Sequence, residues 1–269
     1  PVLAEEGEAH RIAQFGHGAG GESERVTSER DGVAENREAV GGFTDWRMPN
    51  CLELLSTRNL EQDPFTAPDV FTDSDQEDPF WTATCSASFE GQTQIFQMNY
   101  AYGQMLLSSS LTNPQAGVRA CRTFFEGGDL VGFPRTGQTV INHPASGQYD
   151  QGDDGAVRAG YPRQGDRFVD NGTLTVYDRA TNLTWQRSAS DDPYNWEGAF
   201  NYVAALNRND FAGWNDWRLP NQMELYSIVD YGSFNPSINS LFADTRSSFY
   251  WTSTTRKKDT TNAWAVNFL

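Results

Sequence analysis

The densest run of basic chemistry in this chain is Thr254-Thr255-Arg256-Lys257-Lys258-Asp259-Thr260-Thr261, a tight cationic cluster on a net charge of −16. A guanidinium beside ammonium groups can hold the sulfate or carboxylate groups of an acidic glycan. The same run also suits a solvated hairpin tip. Arg256, Lys257, Lys258 and Asp259 are therefore candidate ligand-binding residues, with both readings open. The three cysteines, Cys51, Cys85 and Cys121, are joined by only three histidines, at positions 10, 17 and 143. An odd count prevents complete internal pairing, and no pair has zinc-knuckle spacing. A structural disulfide or inert buried thiols are expected, with neither a metal cage nor a Cys–His catalytic pair. Asp153-Asp154, inside Gly152-Asp153-Asp154-Gly155, is the one hint of calcium. It lacks the ordered alternation of oxygen ligands that calcium loops use, so a solvated turn is expected and no cofactor is assigned. No Gly-x-Ser-x-Gly elbow or phosphate loop is present, and no motif pairs two carboxylates, so the reading is non-enzymatic.

What must position these residues is a sequence written twice. Asp45-Trp46-Arg47-Met48-Pro49-Asn50 returns as Asp216-Trp217-Arg218-Leu219-Pro220-Asn221. Beyond it Glu53 answers Glu224, Leu54 answers Leu225, Ser56 answers Ser227, Phe71 answers Phe242 and Asp73 answers Asp244. Phe80-Trp81-Thr82-Ala83-Thr84 matches Tyr250-Trp251-Thr252-Ser253-Thr254 with a one-residue slip, and Phe96-Gln97-Met98-Asn99 matches Trp264-Ala265-Val266-Asn267. Spaced identities of this kind mark one unit used twice. The Asp-Trp-Arg-x-Pro motif reads as architecture: opposite charges flank an anchoring tryptophan, and the proline suits a helix entry. Trp81, Trp251 and Trp264 likewise read as core or hairpin packing rather than sugar-stacking platforms.

Composition agrees with a loop-rich fold pinned by large rings: aromatic residues make up 13%, charged residues only 21%, and there are eight tryptophans. The acidic balance argues against general nucleic-acid binding, which needs a basic surface. No apolar run approaches the ~20 residues of a membrane span. Residues 1–40, with nine acidic and four basic residues and Phe15 as their single aromatic, have the composition of a poorly packed acidic segment. The opening Pro-Val-Leu-Ala-Glu-Glu lacks the flank and core of a signal peptide, and a start on proline reads as a mature or trimmed form. The first repeat is placed at 41–128, a Gly/Pro/Asp-rich connector at 129–165 and the second repeat at 166–269. In that second repeat Arg167-Phe168-Val169-Asp170, Asn171-Gly172 and Leu174–Asp178 spell a hairpin around an Asn-Gly turn, and Leu183–Gln186 a further strand. Trp196, Ala199, Phe200, Val203, Ala204 and Leu206 form a helical stripe stopped near Asn207 and Gly213. A second helix through Met223, Tyr226 and Val229 is capped by Asn221, with Glu224 at capping-box spacing. Phe249–Thr254 and Ala263–Phe268 form a terminal hairpin around a polar loop.

Thr136-Gly137-Gln138, Gly152–Gly155, Arg167–Gly172, Leu183-Thr184-Trp185, Asp216–Pro220, Tyr250–Thr254 and Ala263–Asn267 together resemble the Lcl C-terminal domain family, named for the end of a bacterial collagen-like adhesin. The resemblance covers about 41–125 and 130–269. A weaker similarity, through Arg218-Leu219-Pro220-Asn221 and Glu224, runs to the formylglycine-generating enzymes and their C-type-lectin-like fold, without the cysteine pair their catalysis needs. These resemblances imply an α+β fold of two tandem C-type-lectin-like domains, each with two helices and twisted antiparallel sheets. They imply an extracellular or cell-surface location, with the periplasm as an alternative, and loops beside the terminal hairpin as the ligand surface. Adhesion to an acidic glycan or surface polymer is the leading expectation. A structural subunit that self-associates by strand addition is the alternative. The chain departs from the family pattern in three places. Residues 1–40 hold nothing like Arg167–Trp185, and the second repeat stops at Asn267-Phe268-Leu269 where the first continues through Val118-Arg119-Ala120-Cys121-Arg122. The helix cysteine that in the family accompanies a late cysteine such as Cys121 would fall in the anomalous opening, with Val203 at that helix position in the second repeat. A fragment, a sequence error, or one repeat completed by another's strand would each account for this.

Overall fold

The computed structural model describes residues 40–61, 65, 78–87, 94–108, 116–122, 133–141, 152–160, 166–172, 174–257 and 259–269. The acidic segment expected at 1–40 lies outside them except for the backbone of Val40, as do Phe71, Asp73 and Lys258. Helices and antiparallel sheets make up the described chain, an α+β fold. In the first repeat α1 (Cys51–Leu55) is followed by the antiparallel strands β1 (Phe80–Cys85), β2 (Ile95–Asn99) and β3 (Gln104–Ser108), in the order β1-β2-β3. A one-turn helix, α2 (Asp154–Val157), lies in the segment between the repeats. The second repeat opens on β4 (Phe168–Asp170), β5 (Thr175–Asp178) and β6 (Leu183–Gln186), paired in that order. It continues through α3 (Trp196–Arg208) and α4 (Gln222–Ser227) to the hairpin of β7 (Phe249–Arg256) and β8 (Asp259–Asn267).

Local chemistry dictates most of these boundaries. Asn-Gly at 171–172 carries the chain from β4 into β5, with Gly172 at φ 102°, a backbone state that glycine adopts without penalty. Asn195 caps α3 by accepting from Gly198 N–H at 2.8 Å, and the helix ends at Arg208 with Asn209 as its C-cap. The terminal hairpin is longer than the apolar clusters alone suggest. The polar stretch Thr254–Thr261 is mostly ladder, Arg256 pairs with Asp259, and only Lys257 and Lys258 lie between the strands. β-Branched threonines on both arms favour the extended state and carry the pairing outward.

Buried residues of both repeats form one cluster, from Leu52, Leu54 and Met98 on one side to Val176, Leu225, Val266 and Phe268 on the other. Phe96 meets Tyr231 edge-on at 4.9 Å and Phe65 meets Trp264 at 6.0 Å, an aromatic geometry that favours the contact beyond simple burial. Arg58 crosses between the repeats too, its guanidinium 5.7 Å from the Tyr226 ring centre. Cys51, Cys85 and Cys121 are free and buried, which selects the inert-thiol reading over a disulfide.

Candidate functional site: one motif, closed in the first repeat and open in the second

The repeated motif builds the same local frame in both places. Asn50 and Asn221 share the backbone angles φ −72° and ψ 170°, and each accepts from the N–H three residues on at 2.9 Å. Glu53 and Glu224 return the bond to the asparagine N–H at 2.9 and 2.8 Å, completing two capping boxes. Each glutamate also takes a bidentate guanidinium: Arg47 at 2.7 and 2.5 Å, Arg218 at 2.7 and 2.7 Å. The prolines match as well, since Pro49 and Pro220 each accept from the hairpin, from Ala83 N–H and Ser253 N–H at 2.8 Å. The hydroxyls of Thr84 and Thr254 accept from Cys51 N–H at 3.0 Å and Gln222 N–H at 3.1 Å. Trp46 is buried, whereas Trp217 is only partly so and donates its indole N–H to Phe211 at 3.0 Å.

In the first repeat later segments cover this frame. Gly117 pairs with β1, accepting from Trp81 N–H at 2.9 Å and donating to Pro79 at 2.8 Å. Cys121 exchanges both backbone bonds with Arg47 at 2.8 and 2.9 Å. Arg119 lies over the edge-on pair Phe80 and Tyr100, 5.0 and 5.5 Å from their centres. Arg122 pairs with Asp45 at 2.8 Å and, by that hydrogen bond first, holds the Asp45 carboxyl below its ordinary range. A second layer comes from the segment read as a connector. Gln138 accepts from Cys85 N–H at 2.9 Å, Asp154 accepts from Thr84 at 3.0 Å and Thr136 at 2.5 Å, and Asn50 donates to Ala159 at 3.2 Å.

Asp153 and Asp154 thus correct the expectation of a solvated turn: both are buried, Asp154 to 2% exposure. Asp153 caps α2, and Asp154 is committed to two threonine hydroxyls. Burial raises the Asp154 carboxyl above its ordinary value, an effect the threonine hydroxyls offset only in part. Among the described residues no group of three or more potential metal ligands forms.

Among the described residues nothing comparable covers the same frame in the second repeat. The side chains of Arg218 and Glu224 are 58% and 21% exposed, against 8% and 7% for Arg47 and Glu53. The Arg218 hydrogen bond holds the Glu224 carboxyl below its ordinary range. Beside them opens a cleft of about 560 Å³ between β6, α3 and β7. Trp185, Tyr194, Tyr202, Trp214, Tyr250 and Trp251 supply rings to its wall. The apolar stripe of α3 helps to line it: Ala199 alone in that helix is buried, while Tyr202, Val203 and Leu206 face the cleft. Trp214 is 57% exposed, and the enclosed Trp185 indole N–H has no hydrogen-bond partner among the described residues. The cleft therefore offers stacking faces and an enclosed donor at Trp185, the chemistry that binds a ligand with both apolar faces and polar edges.

These features, from β5 through the capping box to the terminal hairpin, lie within one recognisable family segment. Residues 174–269 match the Lcl C-terminal domain. No curated protein and no solved structure shows significant similarity to the chain. The open capping box, the aromatic cleft and the basic tip all fall inside the Lcl C-terminal segment.

At that tip the structure separates the candidate residues. Lys257 donates to the backbone carbonyl of Glu61 in the first repeat. Arg256 is partly buried, and its Nε has no partner among the described residues. Asp259 turns inward on its own loop, accepting from Thr261 at 2.5 Å and Asn262 at 2.6 Å, and the Thr261 bonds lower its pKa. Lys258 lies outside the described residues. Trp81 is core, Trp251 lines the cleft and donates to Tyr194 at 2.8 Å, and Trp264 packs on Phe65. The cleft of the Lcl C-terminal segment went unread in the sequence. Its signal was the concentration of rings between Trp185 and Trp217, which periodicity assigns to packing.

Proposed function

We propose that the chain is a non-enzymatic, extracellular recognition module of the adhesin type, in which the first repeat is a closed scaffold and the second presents the binding face. The match of residues 174–269 to the Lcl C-terminal domain supports the class. The observation that carries the site is the contrast between identical frames, sealed at Arg47–Glu53 and open at Arg218–Glu224 beside an aromatic cleft. The ligand in this reading is a glycan or other surface polymer, its sugar faces stacked on rings such as Trp214 and its hydroxyls or acidic groups met by polar groups of the cleft and by Arg256 at the hairpin tip. The tandem C-type-lectin-like organisation implied by the resemblance belongs to this proposal, supported by the two helices and terminal hairpin of the second repeat. No helix among the described residues is long and apolar enough to cross a membrane.

A glycan array probed with the whole protein tests the reading, beside Trp214→Ala and a triple change of Arg256, Lys257 and Lys258 to Ala. Binding lost in Trp214→Ala places the ligand in the cleft, and binding lost in the triple variant places it at the tip. Silence from the unaltered protein across the array removes the glycan reading. A second reading, a subunit that assembles by strand addition, is favoured by one observation: the backbone N–H and C=O of Arg218 have no hydrogen-bond partner among the described residues.

A further inference from the structure

Asn171-Gly172 is the only Asn-Gly pair in the chain, and it stands exposed at the turn between β4 and β5. Glycine lacks the Cβ that would hold its nitrogen away from the asparagine side chain before it, and nothing lies within 4 Å of where such a Cβ would point. Several other asparagines of the second repeat are engaged. Asn182 accepts from the Tyr177 hydroxyl at 2.6 Å, Asn195 and Asn221 cap helices, and Asn207 bonds both backbone groups of Trp217. The Asn171 side chain makes no hydrogen bond among the described residues. What is held is the backbone nitrogen beside it: Gly172 N–H donates to Asp170 Oδ1 at 3.0 Å. Arg187 closes the bracket, donating to the Gly172 carbonyl at 3.0 Å and pairing with the Asp170 carboxylate at 3.0 Å. The carboxylate opposes loss of the Gly172 proton, because a second negative charge would form beside the first.

We propose that Asn171 is a self-modification site, converted through a cyclic imide to aspartate and isoaspartate at a rate that Asp170 and Arg187 restrain. Gly172 N gives up its proton and attacks Asn171 Cγ. The N–Cγ bond forms, the Cγ–Nδ2 bond breaks, and the side-chain nitrogen leaves as ammonia with that proton. Water then opens the five-membered imide. Opening at the side-chain carbonyl gives aspartate, and opening at the main-chain carbonyl gives isoaspartate, whose side-chain carbons join the backbone. Either product puts a carboxylate where a neutral amide stood, next in sequence to Asp170. The isoaspartyl form also lengthens the main chain between Asp170 and Val176, which pair across the hairpin. Such an insertion disturbs register, and the two strands carry Phe168 and Val176 into the core. Conversion is thus a slow chemical timer on the hairpin that opens the second repeat.

The test incubates the whole protein at mildly alkaline pH, samples it over time and digests it with trypsin. The peptide Phe168–Arg179 is then followed by mass spectrometry, with isoaspartate scored by enzymatic methylation of its carboxyl. Conversion is expected at Asn171 in the folded protein, slower than in a free synthetic peptide of residues 168–179. It should be about tenfold or more faster in Asp170→Ala, which loses a hydrogen bond to a charged group. Asp170→Asn, which keeps an acceptor and removes the charge, should be faster as well, and Asn171→Gln should show no conversion. Urea midpoints establish that each variant stays folded during incubation. The isoaspartyl fraction, separated from unmodified protein, should unfold at lower urea. No conversion at Asn171 in the native protein, over a time in which the free peptide converts fully, overturns the proposal. A rate in the folded Asp170 variants equal to or below that of the unaltered protein overturns the restraint. An unchanged urea midpoint in the isoaspartyl fraction overturns the consequence for register.

Discussion

Changing Arg47 to Ala and Arg218 to Ala tests the same chemistry in two solvent environments within one molecule. Arg47→Ala removes the bidentate partner of Glu53 and leaves a carboxylate whose side chain is 7% exposed. Its surroundings cannot replace the lost cation: Cys121 Sγ lies 3.9 Å away, and Asp154 adds a further carboxyl to the same buried region. Stranding one member of a buried pair in this way costs about 3–5 kcal/mol. Arg218→Ala leaves Glu224 with its bond to Asn221 N–H at 2.8 Å and with access to water. An ion pair whose arginine is more than half exposed contributes about 0.2–1 kcal/mol. The gap between the two variants is therefore at least about 2 kcal/mol, a large share of the ~5–15 kcal/mol that stabilises a typical domain. Urea unfolding followed by tryptophan fluorescence at neutral pH measures both losses. Added salt should erase the Arg218→Ala effect by screening and leave that of Arg47→Ala nearly intact. Equal losses in the two variants, or a larger one for Arg218→Ala, would refute the claim that the covering segments make the first frame a buried ion pair.

Further expectations concern the covering layer and the thiols. The Asp154 carboxyl has a raised pKa in the folded state, so between its ordinary value of 3.8 and that raised value the folded chain holds more protons than the unfolded one. Its contribution to stability therefore falls as pH rises. Asp154→Asn, which titrates no proton, should gain stability relative to the unaltered protein between pH 4 and pH 7, as read from paired urea curves; a parallel pH dependence of the two proteins contradicts this. Gly155→Ala should destabilise by more than about 2 kcal/mol, because its Cβ would fall 2.0 Å from the Val140 carbonyl oxygen; an unchanged melting temperature counts against that packing. Cys51, Cys85 and Cys121 should resist a thiol reagent in the folded protein and react together in urea, since all are buried and burial pushes Cys85 up to about 12. Prompt titration of any of them without denaturant contradicts this.

The elements legible in the sequence were those written in local chemistry. Asn221 with Glu224 announced α4 through its capping box, Asn171-Gly172 announced the turn between β4 and β5, and the α3 stripe gave a helix with nearly the observed ends. The site was less legible because it depends on which segments cover which frame. Arg47 and Arg218 sit in near-identical sequences, and only contacts with residues 70 or more positions away bury one and expose the other. Asp153-Asp154 misled for the same reason. Flanked by glycines it has the composition of a surface turn, and the threonines that draw Asp154 inward lie at 84 and 136. The rings of the cleft were visible as residues, but periodicity reports that an aromatic turns inward without reporting whether the space there is filled.

The cover that α2 and its neighbours place over the first repeat has a consequence for the order in which this protein can be made. Thr84, Cys85 and Asn50 leave the ribosome well before Gln138, Asp154 and Ala159, the residues that complete their bonding. Until residue 160 or so has emerged, the first repeat carries an uncovered polar seam. Nascent chains therefore expose this seam for a time, and it is withdrawn as synthesis proceeds. Cutting the chain near residue 128 would leave that seam uncovered, so a shortened protein should be the less stable of the two.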